Sequence, residues 1–294
     1  MYRPKRTLGD VIFEIFLYFS MIILVILFIY PVREIIVTSF STPSYSRSLG
    51  IKIWPDKFNL NAYREIFKTN LIAIGYMNTI YRTVFGTILA VLVTYFGGYA
   101  LTKKSLPFRK GILLLMLFTM FFGGGLIPRY LLMKSLGLVG KRWALILPGI
   151  TSAWNLIIAR NFISTIPDSI EEAAFIDGAN PLTILFYVLI PLSMPIIAVL
   201  SLWEAVEHWN AWFDALIYTN TRDKLVLQLI LRRILIEESK EILESDILLL
   251  PTEYTSPETV KAATIVVSTA PIILFYPYLQ KYFVKGVLVG SLKG

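Results

Sequence analysis

Long apolar blocks separated by short polar and charged segments dominate this chain. In the first block, Val11–Tyr30, apolar residues run on without the alternation that a half-buried helix or strand would show. A helix needs about 20 predominantly apolar residues to cross the hydrocarbon core of a bilayer. On that length the pattern predicts spans near 12–32, 74–101, 111–133, 143–163, 184–217 and 260–284. The second and fifth are longer than a crossing requires, so tilt or kinking is expected. Pro191 and Pro195 are the expected bending points in the fifth. The fold class that follows is an all-α membrane protein with six transmembrane helices, its single domain covering residues 1–294.

Composition sharpens this picture. Of 294 residues, 56% are hydrophobic and 16% charged, with mean hydropathy +0.66; soluble domains carry about 25% charged residues. The net charge of +8 would suggest nucleic acid in a soluble chain. Here the basic residues flank the apolar blocks, so lipid, not nucleic acid, is the expected partner. No cysteine is present and His208 is the one histidine, which excludes disulfides, thiolate catalysis and a His-rich metal site. The run after Arg3, Lys5 and Arg6 continues to about Pro31, too long for a signal peptide, and is read as a retained first span. Those residues, the turn Lys103, Lys104, Arg109, Lys110, and the tail Lys281, Lys285, Lys293 fall on one side of six spans. By the positive-inside rule both termini are cytoplasmic. Arg129, Lys134, Lys141 and Arg142 oppose the rule. Residues 41–72 and 218–258 are then external loops. Leu225–Ile236, interrupted by Arg232 and Arg233, is read as a short surface helix or strand.

The segment between the fourth and fifth spans, Ile166 to Thr183, carries the sharpest local signals. Ser169 with Glu172, or Asp168 with Glu171, fits a capping box. Glu-Glu-Ala-Ala propagates helix. Gly178 suits the left-handed closing position, and Asn180–Pro181 the start of the next helix. A short cytoplasmic helix near 169–178 is predicted. Small Ala173 and Ala174 would let a partner approach closely, Glu171 and Glu172 would pair with basic groups, and Phe175 and Ile176 would anchor.

This segment resembles the signature of binding-protein-dependent ABC importer permeases: Glu-Ala-Ala, three residues, Gly, nine residues, then Ile-x-Leu-Pro. Here it reads Glu172-Ala173-Ala174, Gly178, then Val188-Leu189-Ile190-Pro191, with two conservative replacements. Phe122–Pro128, Leu136-Gly137-Leu138, Trp209–Trp212 and Tyr282–Leu292 extend the likeness to the LplC/YtcP-like branch of maltose-type sugar permeases. The resemblance implies a multi-pass subunit of the bacterial inner membrane, paired with a second homologous permease. It further implies two cytoplasmic ABC ATPase subunits and an extracytoplasmic solute-binding protein. The cargo it implies is an oligosaccharide, uronate-containing ones included. The implied coupling interface is Glu171, Glu172, Ala173, Ala174, Asp177 and Gly178. No cofactor is expected on this chain; ATP and magnesium would belong to the ATPase, and the subunit would be non-catalytic.

Several features admit two readings. Glu172 either caps its helix or docks a partner, or does both. Glu204, Trp209 and Asn210, with Glu207, His208, Trp212 and Asp214 nearby, either line a sugar path or belong to an interfacial belt. Gly123–Gly125 should break regular helix, lining a cavity or making a tight turn. The tail either contacts the ATPase or frays. A secondary transporter would need carboxylates within the spans, and only Glu204 and Glu207 cluster; a channel would need a filter-like loop, and none is evident. No nucleophile–base set marks an enzyme. The chain has no G-x-x-x-x-G-K-[ST] phosphate loop.

Overall fold

The computed structural model describes residues 7–68, 70–219, 221–236 and 254–291, with side chains as far as 274. The basic N-terminal residues, residues 237–253 of the 218–258 loop and the side chains of the C-terminal tail lie outside this description. The helices are α1 Leu8–Ser39, α2 Pro43–Arg47, α3 Asn61–Lys68, α4 Asn70–Thr102, α5 Arg109–Phe121, α6 Leu126–Ser135 and α7 Ala153–Ile163. They continue with α8 Asp168–Ile176, α9 Pro181–Leu192, α10 Met194–Asn210, α11 Phe213–Tyr218, α12 Leu227–Ile236 and α13 Pro257–Ser291. No strand occurs among the described residues.

Three described helices are long and apolar enough to cross a membrane: α1, α4 and the Pro257–Leu274 part of α13. The number rises to five if two bent pairs each count as one span. α1 is apolar all round and almost wholly exposed, a surface that only lipid or another chain can cover.

The chain forms two compact units, residues 1–69 with 234–269, and residues 70–233 with 270–294. In the first, Phe40 stacks on Phe58 and Tyr63, with ring centroids 4.8 and 5.0 Å away. Ser46 bonds Ser256 at 2.9 Å, and the Asn59 amide donates to the Tyr254 carbonyl at 3.1 Å. Hydrogen bonds therefore order a segment that is largely polar loop by sequence.

The second unit is organised on α4. Its buried positions include Gly75, Asn78, Thr79, Arg82, Gly86, Ala90, Val91, Thr94, Tyr95, Gly98 and Leu101, a stripe at helical spacing. Small residues on that stripe let α7 and α10 approach closely. A Cβ on Gly98 would sit 3.0 Å from the Ala159 Cβ and 3.1 Å from the Arg160 nitrogen. One on Gly86 would sit 2.4 Å from His208 Nε2.

Three expected spans differ from the pattern. The third breaks between α5 and α6, which meet at 118°. Gly123–Gly125 supply the break, with Gly125 at φ +81°. In place of the fourth are two short 3₁₀ turns, Arg142–Leu145 and Leu147–Gly149, followed by the 11-residue α7. Eleven residues reach only about 16 Å. Pro148 interrupts the block and Ser152 restarts it, its hydroxyl accepting from the Asn155 amide at 3.4 Å. The fifth bends by 78° at Ser193, between the two prolines. Finally, α12 is a helix, but not a surface one: Leu227, Leu229, Ile230 and Ile234 are buried. The α4 stripe accounts for part of this, since Gly75 leaves room for Ile230 and Thr79 Oγ1 accepts from the Leu227 amide at 2.9 Å.

Gly98→Val should force α4 away from α7. Overpacking of this kind costs about 1–3 kcal/mol, so the detergent-solubilised protein should lose several degrees in thermal unfolding, whereas Gly111→Val, at an open position, should not.

Candidate functional site: the short helix α8 and its platform

α8 is helical because Glu-Glu-Ala-Ala favours it and because both ends are defined. Its start differs from the sequence expectation. Pro167, not Ser169 or Asp168, occupies the cap, and no side chain bonds the first turn. Neither capping box forms, so Glu172 is not held as a cap. Asp168 and Glu171 do fall in the first turn, where their charge suits the helix dipole. The other end is as expected. Gly178 takes φ +83°. Its amide donates to the Phe175 carbonyl and the Ala179 amide to the Ala174 carbonyl, both at 3.0 Å. This is the paired bonding of a Schellman closure. Asn180 then caps α9 by accepting from the Thr183 amide at 2.8 Å, with Pro181 next.

The helix has two faces. Ile170, Glu171 and Ala174 are partly buried; Glu172, Ala173, Asp177 and Gly178 are exposed. Phe175 and Ile176 are 52% and 87% exposed, large apolar side chains left in the open. Behind the helix lies a core of Tyr95, Ile163, Ile184, Leu185 and Leu189, on which Ala174 and Ala179 pack. Three of those core residues belong to a π-helical stretch, Ile184–Leu189, where Ile190 donates to the Leu185 carbonyl. Pro191 lacks a donor and its ring would strike the carbonyl four residues back; the wider turn just ahead relieves that crowding. Ser193, at the bend, is buried and accepts from the Tyr95 hydroxyl at 3.0 Å.

Glu171 points inward. Its carboxylate pairs with the Lys103 ammonium and accepts from the Tyr99 hydroxyl at 3.5 Å. Lys103 also lies 4.5 Å from the centre of the Tyr99 ring. Burial works to lower the Lys103 pKa, but its bonds to Glu171 and Tyr99 outweigh this and raise it above the ordinary lysine value.

The residues expected along a sugar path separate into two groups. Glu204 is buried and accepts from the Asn155 side-chain Nδ2 at 2.7 Å. Trp209 is buried with its ring edge-to-face with Tyr76, 6.3 Å between centroids. Asn210 is exposed and lines a cavity of about 280 Å³ with Arg129, Glu207, Trp212 and Phe213. One wall of that cavity holds a feature that sequence reasoning missed. Arg82, 4% exposed, grips Asp214 with both terminal nitrogens, donates to the Ala211 carbonyl at 3.2 Å, and reaches His208 Nδ1 at 3.4 Å. A lone arginine in the second apolar block was the available signal, since an ionisable residue at membrane depth needs a partner.

Apolar helices suited to lipid, the buried Arg82–Asp214 pair and a short exposed helix on a packed platform define a class, a membrane protein that offers a surface to a partner. Comparison identifies which. The family model described as "Binding-protein-dependent transport system inner membrane component" matches residues 108–289, and this chain belongs to that family of ABC importer permeases. It is 40% identical over 284 residues to the "Polygalacturonan/rhamnogalacturonan transport system permease protein YtcP" of Bacillus subtilis (strain 168), covering 96% of this chain and 99% of the relative. It is 39% identical over 267 residues to "Protein LplC" of the same organism, covering 90% of each. Among solved structures, a chain of "a bacterial ABC transporter involved in the import of the acidic polysaccharide alginate" superposes with TM-score 0.88 at 32% identity, covering 96% of this chain and 100% of that one.

Asp214→Asn would leave the Arg82 guanidinium buried without its charge partner. Breaking a buried pair costs about 3–5 kcal/mol, so this variant should show a marked loss of thermal stability. Asp177→Asn, at an exposed position on α8, should unfold like the parent.

Proposed function

We propose that this chain is one of two homologous permease subunits of an ATP-driven importer of acidic oligosaccharides, and that α8 is the element on which a cytoplasmic ATPase docks. The observation that carries this reading is the outer face of α8. Phe175 and Ile176 stand exposed beside Glu172 on a helix whose other face is anchored in the core. A protein keeps exposed large apolar side chains on a rigid element chiefly where a partner covers them. Glu172, Ala173, Asp177 and Gly178 complete the docking surface. Glu-Ala-Ala and Gly stand at the spacing of the importer signature.

The remaining parts follow from the same reading. The whole chain acts as one transmembrane domain of six spans, the bent pairs and the short α7 serving as broken crossings, with both termini in the cytoplasm. Its partners are a second permease, two ABC ATPase subunits that hold the ATP and magnesium, a solute-binding protein outside, and lipid; it takes no cofactor and binds no nucleic acid. Acidic cargo is supported by the names of relatives that serve polygalacturonan, rhamnogalacturonan and alginate. In the sugar path, Asn210 contributes through the cavity it shares with Arg129 and Trp212, where an amide, a cation and an aromatic face suit hydroxyls, a carboxylate and a sugar ring. Glu204 and Trp209, buried on the same helix α10, belong to that path in the same reading.

The test uses the assembled transporter in lipid vesicles with its binding protein and oligogalacturonate. Glu172→Ala and Ile176→Asp should each cut binding-protein-stimulated ATP hydrolysis by about tenfold. Full stimulation in both would reject docking through α8.

A further inference from the structure

The inner face of α8 carries a contact that docking does not use. Glu171 neighbours Glu172 in sequence yet turns away from the partner face, toward the end of α4, where its side chain is 16% exposed. There it meets Lys103, the residue just after α4, and Tyr99 in the last turn of that helix. The Lys103 ammonium is thus shared between a carboxylate and the face of an aromatic ring, two attractions that hold one cation in one place.

The group it is fastened to is rigid. Gly98 brings the α4 backbone against Ala159 and Arg160 of α7. Arg109, the first residue of α5, donates through Nε to the Leu101 carbonyl at 2.7 Å. The end of α4 and the start of α5 are therefore one piece, with α7 packed against it. Apolar packing holds α8 through Ala174. Beside this contact a cleft of about 600 Å³, lined by Lys103, Lys104, Arg109, Asp168, Glu171 and Glu172 among others, opens between α8 and the 102–109 turn. With only the small contacts of Ala174 and, just past its end, Ala179 on the core, α8 is free to rock into that cleft when pushed from outside.

We infer that Glu171, Lys103 and Tyr99 form a positioning clasp that couples α8 to α4, so that force applied at Phe175 and Ile176 moves α4 rather than tilting α8. From Tyr95, one turn before Tyr99, the hydrogen bond to Ser193 carries that movement to the bend between α9 and α10. Glu171 then belongs to the permease's own linkage and not to the ATPase contact. This rests on the docking reading of α8.

Charge reversal in the whole transporter, in vesicles, tests it. Lys103→Glu and Glu171→Lys should each lower substrate-stimulated ATP hydrolysis and sugar taken up per ATP by about tenfold, while as much ATPase co-purifies as with the parent. The double swap should recover most of the coupling, which a merely destabilising pair of changes would not do. Glu171→Gln, nearly isosteric, covers the case in which a reversal fails to assemble and should cost about fivefold. Normal coupling in the single variants, or a double swap no better than either single, would overturn the clasp. If Ile176→Asp uncouples while the Lys103 and Glu171 variants do not, the clasp alone is refuted. If Ile176→Asp also couples normally, the docking reading itself has failed.

Discussion

The close packing along α4 is the constraint on which the larger unit depends. Between Leu71 and Leu101 the helix presents one continuous stripe, and small residues on it set how near the neighbours come. Lipid offers no hydrophobic incentive for helices to associate, so contact must come from close backbone approach and from polar pairs. α4 supplies both. Gly75, Gly86 and Gly98 admit α12, α10 and α7 in turn. Arg82 fastens the chain after α10 through Asp214, and Asn78 fastens the following segment through the Asp223 and Leu225 carbonyls at 2.8 and 2.9 Å.

From this column the path to α8 is short. Tyr95, Tyr99 and Lys103 follow one another at four-residue spacing, on one face of α4 and its immediate continuation. Tyr95 holds the bend at Ser193, Tyr99 and Lys103 hold Glu171, and the core around Tyr95 supports Ala174 and Ala179. The π-helical stretch lies in the same place. Pro191 widens the backbone ahead of it, and the widened turn contributes Ile184, Leu185 and Leu189 to the platform under α8. The importer signature thus spans an exposed helix face, a left-handed stop, a cap and a proline-conditioned bend, each with its own local cause.

Local chemistry was legible in the sequence and tertiary choices were not. Gly178 announced the end of α8 because few residues tolerate positive φ, and Asn180–Pro181 announced the next start for equally local reasons. The Gly123–Gly125 break and the bend between Pro191 and Pro195 belong with them. The start of α8 was misplaced by a residue or two because two overlapping capping boxes competed, and neither formed. By hydropathy the fourth apolar block reads as one continuous helix; Pro148 and Ser152, which divide it, are the local signals of the break. Among the site residues, Glu171 and Glu172 look equivalent on paper. That Glu171 turns in to Lys103 while Glu172 stays exposed depends on where the end of α4 lies, which one sequence does not display. Residue type alone marks Glu204 and Trp209, whereas contacts with Asn155 and Tyr76 accompany their burial.

In the proposed docking, α8 faces its own chain on one side and an ATPase on the other. Because the chain contains no cysteine, a single introduced cysteine is the one thiol it offers and can carry a photo-reactive probe to either side. Placed at Ile176 in the assembled transporter, such a probe should cross-link to the ATPase subunit; placed at Ile170, on the inner face, it should link only within the permease. Cross-linking to the ATPase from Ile170, or its absence from Ile176 in a complex that hydrolyses ATP, would contradict the account.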